Sequence, residues 1–244
     1  MKYLTLEKKN ELAQQLKETK FQLSQIPLQE RQFIQSFPFS LFYSENLGKS
    51  LTIDPFIETG FFVKNGHITR LQIRNHPELC QISENLHILT HLEALILDTT
   101  RLSHLPSTIS SLYTLKYLRL QYNSLTQLPA NFGDLQNLRY LSLVEEGLTS
   151  LPESFKNLKN LKILGISWGL ESYLGQISHL KNLEDLSFSG DNIQELPSDF
   201  GNLTNLRILN LSDNFLSSLP SSMASIKTLS KIDLHHNLFS ILPS

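Results

Sequence analysis

A pattern of nearly constant length recurs from Ile68 to the end of the chain, and it constrains the fold more than any other feature. Its clearest copy is LRILNLSDNFLSSLPSSMASIKT, Leu206 to Thr228, with leucines at offsets 0, 3, 5, 10 and 13. The front of this copy alternates with the two-residue period of a strand, and a Leu-Pro pair follows behind an Asn. Such a unit cannot bury its apolar side alone, so the copies must stack on one another as a solenoid.

Eight copies of the pattern follow one another at intervals of 24, 23, 23, 23, 22, 23 and 23 residues. Each front segment is expected to form a short strand of a parallel sheet on a concave side, and each back half a short helical turn on the convex side. The Asn at offset 8 is expected to bond the backbone where the chain leaves the strand. The copies begin at Ile68, Leu92, Leu115, Leu138, Leu161, Leu183, Leu206 and Leu229, and the Asn occurs at Asn123, Asn214 and Asn237.

The pattern L-x-x-L-x-L-x-x-N-x-L-x-x-L-P resembles the leucine-rich repeat family, in its short form with a Leu-Pro pair. Similar repeats occur in intracellular Ras-type scaffolds and in bacterial proteins, some of them effectors that act on host proteins. The resemblance implies a curved α/β solenoid, a horseshoe with a parallel concave sheet, whose function is non-enzymatic protein binding. It also raises the hypothesis of a bacterial host-interacting protein. The alternative is the recognition domain of a larger enzyme of the ubiquitin-ligase type.

Residues 1–66 lack the repeat, and we interpret them as an N-terminal cap on a solenoid that spans 67–244. Helical spacing of apolar residues predicts amphipathic helices from Thr5 to Lys20 and from Pro27 to Phe37, followed by loop and short turns. Asn65-Gly66, between two β-prone runs, predicts a type I′ hairpin whose second arm enters the first repeat. A cap would cover the raw end of the repeat core; the alternative is an independent N-terminal domain.

Composition limits the cellular compartments and the classes of partner that we expect. The formal net charge of −2, with both signs interspersed, gives no reason to expect a nucleic acid or a membrane as partner. A single Cys excludes an internal disulfide framework. Glu7, Lys8 and Lys9 interrupt any signal-peptide core, so we expect a soluble protein, cytoplasmic or secreted by a leaderless route.

Two irregularities leave alternatives open. The copy at Leu161 lacks the Leu-Pro pair and has Gly169 where Asn is expected, which is either drift in a tolerant scaffold or a local bend that shapes a binding site. The last copy stops at Ser244 without a polar cap. Either the chain is a fragment, or its end meets another chain near Phe239, or a minimal edge is tolerated; end-to-end self-association is the hypothesis.

Strand alternation turns the residues at offsets 2, 4 and 6 towards the concave face. Large apolar and aromatic side chains cluster in the middle of that face, next to small residues and a single Arg, and such side chains are enriched at interface hot spots. The alternative is that neighbouring tyrosines merely pack on one another. The predicted partner-binding residues are Tyr117, Arg119, Tyr122, Tyr140, Val144, Ile163, Trp168 and Ile208.

Catalytic and metal chemistry find little support in the sequence. Cys80 is interpreted as a buried structural thiol. Asp233, His235 and His236 could offer two or three metal ligands, and His87 with His91 has a four-residue spacing. Both are weak signals, because no further ligand at a recognisable spacing accompanies them. No phosphate loop or nucleophile elbow is present. We therefore expect no enzyme activity, no cofactor and no metal.

Overall fold

The computed structural model describes residues 6–44, 59–144, 147–167 and 174–240. These residues form one open ten-stranded sheet in chain order, parallel except for the antiparallel pair β2–β3. The chain is a curved α/β solenoid, as the sequence predicts. The strands are β1 (Phe42–Tyr43), β2 (Thr59–Lys64), β3 (His67–Arg74), β4 (Ala94–Asp98), β5 (Tyr117–Gln121), β6 (Tyr140–Val144), β7 (Ile163–Ser167), β8 (Asp185–Phe188), β9 (Ile208–Asn210) and β10 (Lys231–Asp233).

Short helical turns form the back of the repeats, and the Leu-Pro pair explains where they start. The carbonyl of Pro106 accepts a hydrogen bond from the N–H three residues ahead, at Ile109 (3.1 Å), and Pro129, Pro152, Pro197 and Pro220 do the same. Proline suits this position because it fixes φ and needs no hydrogen-bond acceptor of its own. The 3₁₀ turns are Glu84–Ile88, Ser107–Ser111, Phe132–Asp134, Glu153–Asn157, Phe200–Asn202 and Ser221–Ser225, and the α-helix α3 spans Leu174–Ile177.

One continuous apolar core runs through the stacked repeats, from Ile26 to Ile226. The strand residues predicted to point inward do so: Leu118 and Leu120 of β5 are 0% exposed. Neighbouring copies pair in the predicted register, with Leu118 beside Leu141 of β6. The repeat interval therefore places like positions side by side, and each leucine packs against its counterparts in the next repeats.

In the copies that have it, the Asn at offset 8 holds the turn out of the strand, as predicted. The side-chain amide of Asn214, which is 3% exposed, donates to the carbonyl of Phe188 at 2.7 Å. Its Oδ1 accepts from the N–H groups of Asp191 (3.2 Å) and Ile193 (2.9 Å) in the preceding repeat. Asn237 donates to the Leu211 carbonyl at 2.8 Å in the same way. The amide thus replaces backbone partners that a loop lacks.

Removal of this amide is a test of its structural role. We expect Asn214→Ala to lower the free energy of unfolding by about 2 kcal/mol, because it leaves buried N–H and C=O groups without partners. The matched control is Asn205→Ala, which removes one exposed bond from Asn205 to the carbonyl of Lys181 (2.9 Å). Urea unfolding followed by circular dichroism measures both; equal midpoints for the two variants would contradict the structural role of Asn214.

The N-terminal segment contains both predicted helices, α1 (Leu6–Gln25) and α2 (Leu28–Gln35). The hairpin is also confirmed, because Asn65 (φ 53°) and Gly66 (φ 77°) both have the positive φ that a type I′ turn requires. The prediction of loop after Phe37 was wrong for Phe42–Tyr43, which add strand β1 to the edge of β2; residues 45–58 lie outside the described part of the chain. The division at residue 66 stays a prediction.

Candidate functional site

A row of side chains crosses the concave face at offset 2 of the repeat, which is the first residue of each strand from β5 to β9. Tyr117, Tyr140, Ile163, Asp185 and Ile208 lie directly beside one another in the parallel register. Adjacent strands are about 4.8 Å apart, so these side chains touch along the row. Tyr117 is 6% exposed and Ile163 and Ile208 are each 39% exposed, whereas Tyr140 and Asp185 are half-buried. The row is therefore covered at one end and open to solvent at the other.

The covered end is an aromatic stack. The rings of Tyr117 and Tyr140 are parallel, with centroids 4.1 Å apart and an interplanar angle of 6°. Tyr117 packs with Ala94 and Ile96 in a small second core, and burial raises the pKa of its phenol. The sequence correctly placed Tyr117 on this face, but the expectation of an exposed side chain there was wrong, because bulky neighbours on adjacent strands cover it. Tyr140, which is half-buried, is the solvent-facing partner of the stack.

Arg119 belongs to an internal polar network. Its Nε lies 2.9 Å from Oδ2 of Asp98, and Nε of Arg74 lies 3.4 Å from the same oxygen. Asp98 is 1% exposed; burial raises its pKa, and the charges of Arg119 and Arg74 oppose that shift. Arg119 also donates to Oε1 of Gln121 (2.6 Å), and Nε2 of Gln121 donates to Oγ of Ser142 (2.5 Å). Arg119 is therefore paired with Asp98 and Gln121 within the protein.

Small residues line the centre of the concave face. Ser142, Gly165 and Ser187 are neighbours across three adjacent strands. A Cβ placed on Gly165 would have no atom closer than Oγ of Ser142 at 3.7 Å. This strip, at offset 4 of the repeat, separates the row at offset 2 from the half-buried Val144 at offset 6. The sheet surface beside Ile163 therefore carries only short side chains.

Tyr122 stands at the rim of the face, where the chain leaves β5. Its backbone is left-handed (φ 56°), an unusual conformation for a bulky residue, and its side chain is 62% exposed. The same position of the repeat is left-handed at Asn75, Thr99, Gly190, Asp213 and His236. The turn imposes this backbone on each of these residues. The packing of the fold therefore does not require a tyrosine here. Trp168, which the sequence places at the same position two repeats further on, lies outside the described residues, as does the rest of the irregular segment 168–173.

Comparison with known proteins now adds to this geometry. Residues 107–190 match the family described as leucine-rich repeat region, and residues 205–226 match the leucine rich repeat family. These ranges coincide with strands and turns of the observed solenoid. The chain is a leucine-rich repeat protein. No curated protein matches it in sequence.

Solved structures of other leucine-rich repeat proteins share the fold. A protein of Leptospira interrogans is 30% identical over 71% of this chain and 44% of its own, with a TM-score of 0.64. TLR13 in complex with ssRNA13 is 30% identical over 66% of this chain and 24% of its own (TM-score 0.58). The plant peptide hormone receptor RGFR1 in complex with RGF2 is 29% identical over 64% and 26% (TM-score 0.53). The present chain spans less than half the length of each.

The remaining candidate residues of this leucine-rich repeat protein do not come together in one site. Cys80 is exposed, so its interpretation as a buried thiol was wrong: it follows Leu79, which enters the core, and points the other way. His235 and His236 each pair with a different carboxylate, Asp233 (2.5 Å) and Asp213 (2.7 Å).

Among the described helices, none combines the length and apolar character needed to cross a bilayer.

His87 and His91 also have separate surroundings. His87 bonds the Glu84 carbonyl through Nδ1 at 2.7 Å, whereas the ring of His91 stacks on that of His67, with centroids 3.8 Å apart. The sequence missed this second pair, because the two histidines belong to different repeats. His67 and His91 directly precede Ile68 and Leu92, the first residues of two successive copies, and this shared position was the available clue.

Proposed function

We propose that this leucine-rich repeat protein is a non-enzymatic protein-interaction module whose partner docks on the open end of the concave row. The observation that carries the proposal is the row Tyr140–Ile163–Ile208. Its isoleucines expose 39% of their surface on a rigid parallel sheet, although nothing in the fold requires apolar side chains there. Asp185 separates the two isoleucines, but exposed apolar groups gathered on one face of a folded protein still mark an interaction site. The short side chains of Ser142, Gly165 and Ser187 beside Ile163 leave room for a partner side chain.

Tyr122 supports the same surface from the rim. An exposed aromatic side chain offers large, stiff contact area and a polar hydroxyl, which is why tyrosine is enriched at binding hot spots. The row carries few charges: Asp185 lies between the two isoleucines, and burial raises its pKa while Lys231 opposes that shift. Such a mixture of apolar and polar groups is typical of a protein interface.

A protein fits this surface better than a nucleic acid. Binding to phosphates requires free cations, and Arg119, near the centre of the face, is paired with Asp98. TLR13, which shares the fold, was solved with ssRNA13, and RGFR1 with RGF2. We propose the second type of ligand, a polypeptide, for the present chain. The host-interacting bacterial role, the ubiquitin-ligase alternative and self-association stay predictions, and the length of the complete reading frame tests the ligase alternative.

Site-specific photo-crosslinking tests the proposed surface. A photoreactive amino acid replaces Ile163 on the concave face or, as the control, Glu153, which is exposed on a convex turn. We expect a discrete crosslinked protein from position 163 and none from position 153, because only the concave row contacts the partner. Mass spectrometry identifies the captured protein. Equal capture from both positions would place the binding site elsewhere.

Competition with unlabelled chain gives the energetic test. Wild-type chain is expected to abolish the crosslink at position 163, whereas Ile208→Ser is expected to compete about tenfold less well, since it removes a hot-spot contact worth about 1.4 kcal/mol. The matched control is Ser230→Ala, an exposed change outside the row, which should compete like wild type. Full competition by Ile208→Ser would show that the row does not carry the binding energy. Tyr140→Ala is less suitable, because it uncovers Tyr117.

A further inference from the structure

Three metal-ligating side chains from three separate segments meet where the N-terminal helices join the repeats. Glu30 lies on α2, His67 begins β3, and His91 lies in the turn before β4. One ligand atom from each lies within 4.8 Å of the other two. The residues are 37 and 24 positions apart along the chain, so the fold alone brings them together.

Glu30 is the fixed member of this cluster. Only 2% of it is exposed, and its Oε2 accepts a hydrogen bond from the N–H of Ile68 at 2.8 Å. That bond aims Oε1 at Nδ1 of His67, 2.7 Å away. A buried carboxylate is costly unless positive charge or strong donors compensate it. A dication between Glu30 and His67 would supply such a charge.

The two histidines complete an open-sided donor set. The rings of His67 and His91 are stacked with an interplanar angle of 16°. His67 exposes 32% of its side chain and His91 is exposed, so an ion can enter from solvent and keep a water ligand. Ligand atoms around a tetrahedral zinc stand about 3.3 Å apart. A side-chain rotation of the exposed His91 closes the remaining gap, and a small opening of the His67–Glu30 contact admits the ion.

We propose that Glu30, His67 and His91 bind a divalent transition metal, with Zn²⁺ as the best-fitting ion. Two imidazoles and one carboxylate suit zinc, whereas calcium and magnesium prefer sites made of oxygen alone. The bound ion joins α2, the hairpin and the first repeat turn at one point. It therefore fixes the N-terminal helices onto the solenoid. This site is distant in sequence from the concave row and independent of the proposed partner.

Thermal unfolding of the full chain, freed of metal with a chelator, tests the site. Zinc at about 100 times its dissociation constant is expected to raise the melting temperature by about 5 to 10 °C, because it binds only the folded state. His91→Gln is expected to abolish the shift and to leave the metal-free melting temperature unchanged, since His91 is exposed. Magnesium is expected to have no effect on either protein.

His87→Gln is the matched control, because His87 is also exposed and lies in the same turn region but outside the cluster. It should keep the full zinc shift. Visible absorption of bound Co²⁺ gives a second readout, expected in wild type and His87→Gln and absent in His91→Gln. The proposal is overturned if zinc leaves the wild type unchanged, or if His91→Gln retains the zinc shift. In both cases the cluster is only a hydrogen-bonded contact between cap and repeat.

Discussion

Gly133→Ala is expected to lower the free energy of unfolding by about 3 kcal/mol or more, the upper end for an overpacked site. Gly133 sits in a 3₁₀ turn, where a Cβ would lie 1.8 Å from the carbonyl oxygen of Ser154 in the next repeat. A backbone carbonyl cannot rotate away as a side chain can. The change must therefore push two repeats apart, weakening the hydrogen bond from the Gly133 N–H to Oγ of Ser154 (3.0 Å).

Two other glycines provide the comparison for this prediction. Gly201 repeats the contact, with a would-be Cβ 2.1 Å from the Ser222 carbonyl oxygen, and Gly201→Ala should be similarly harmful. Gly175 has nothing within 4 Å of its would-be Cβ and lies in α3. Gly175→Ala should be neutral or stabilise by about 0.5 kcal/mol, since alanine favours helix. Urea unfolding midpoints measure all three; a Gly133→Ala protein as stable as Gly175→Ala would refute the close approach of the turns.

Leu141→Ala is expected to cost about 2 to 5 kcal/mol, the range for removing a buried leucine side chain and leaving a cavity. Leu141 is 0% exposed and lies in β6, between Leu118 of β5 and Leu164 of β7. Because it packs on both sides, the change weakens two repeat interfaces at once.

The matched control for Leu141 is another Leu→Ala change. Leu238 is 61% exposed, so Leu238→Ala should change the free energy of unfolding by no more than about 0.5 kcal/mol. Calorimetry or urea unfolding of both variants gives the difference. If Leu141→Ala unfolds at the wild-type midpoint, the inward register of the leucines is wrong.

The sequence predicted the solenoid because its determinants are periodic. The leucine spacing runs through all copies, and the Leu-Pro pair and the Asn, where they occur, keep the same offset. Strand β1 was missed because two residues without alternation carry no pattern, and their strand character comes from pairing with β2. Local propensity cannot reveal an element that only a neighbour stabilises.

The concave face was predicted with less success, for a different reason. Alternation tells which side of the sheet a residue occupies but not how far its neighbours cover it. Tyr117 and Asp98 are on the predicted side and yet are 6% and 1% exposed, because aromatic rings and arginines from adjacent strands lie over them. Ile163 and Ile208 lie on the same side of the sheet and are each 39% exposed, a difference from Tyr117 that alternation cannot predict. The binding role of the eight predicted residues stays a prediction that the crosslinking experiment tests.

The Glu30–His67–His91 cluster was not predicted from the sequence, and only its His67–His91 pair follows the repeat interval. His87 and His91 attracted attention because four-residue spacing can put two ligands on one helix face. The structure instead brings His91 to His67 through repeat stacking, and to Glu30 through the docking of α2. Contacts between a non-repeating segment and a repeat have no period, so spacing rules cannot find them.

The left-handed turn at the end of the strands has an evolutionary consequence. Since the backbone there already follows one path for residues as different as Thr99, Tyr122, Asp213 and His236, the side chain at this position can be exchanged without altering the core. Each repeat then carries one interchangeable group along a common edge. Selection, or a protein engineer, can rewrite the chemistry of that edge one repeat at a time while every leucine stays in place.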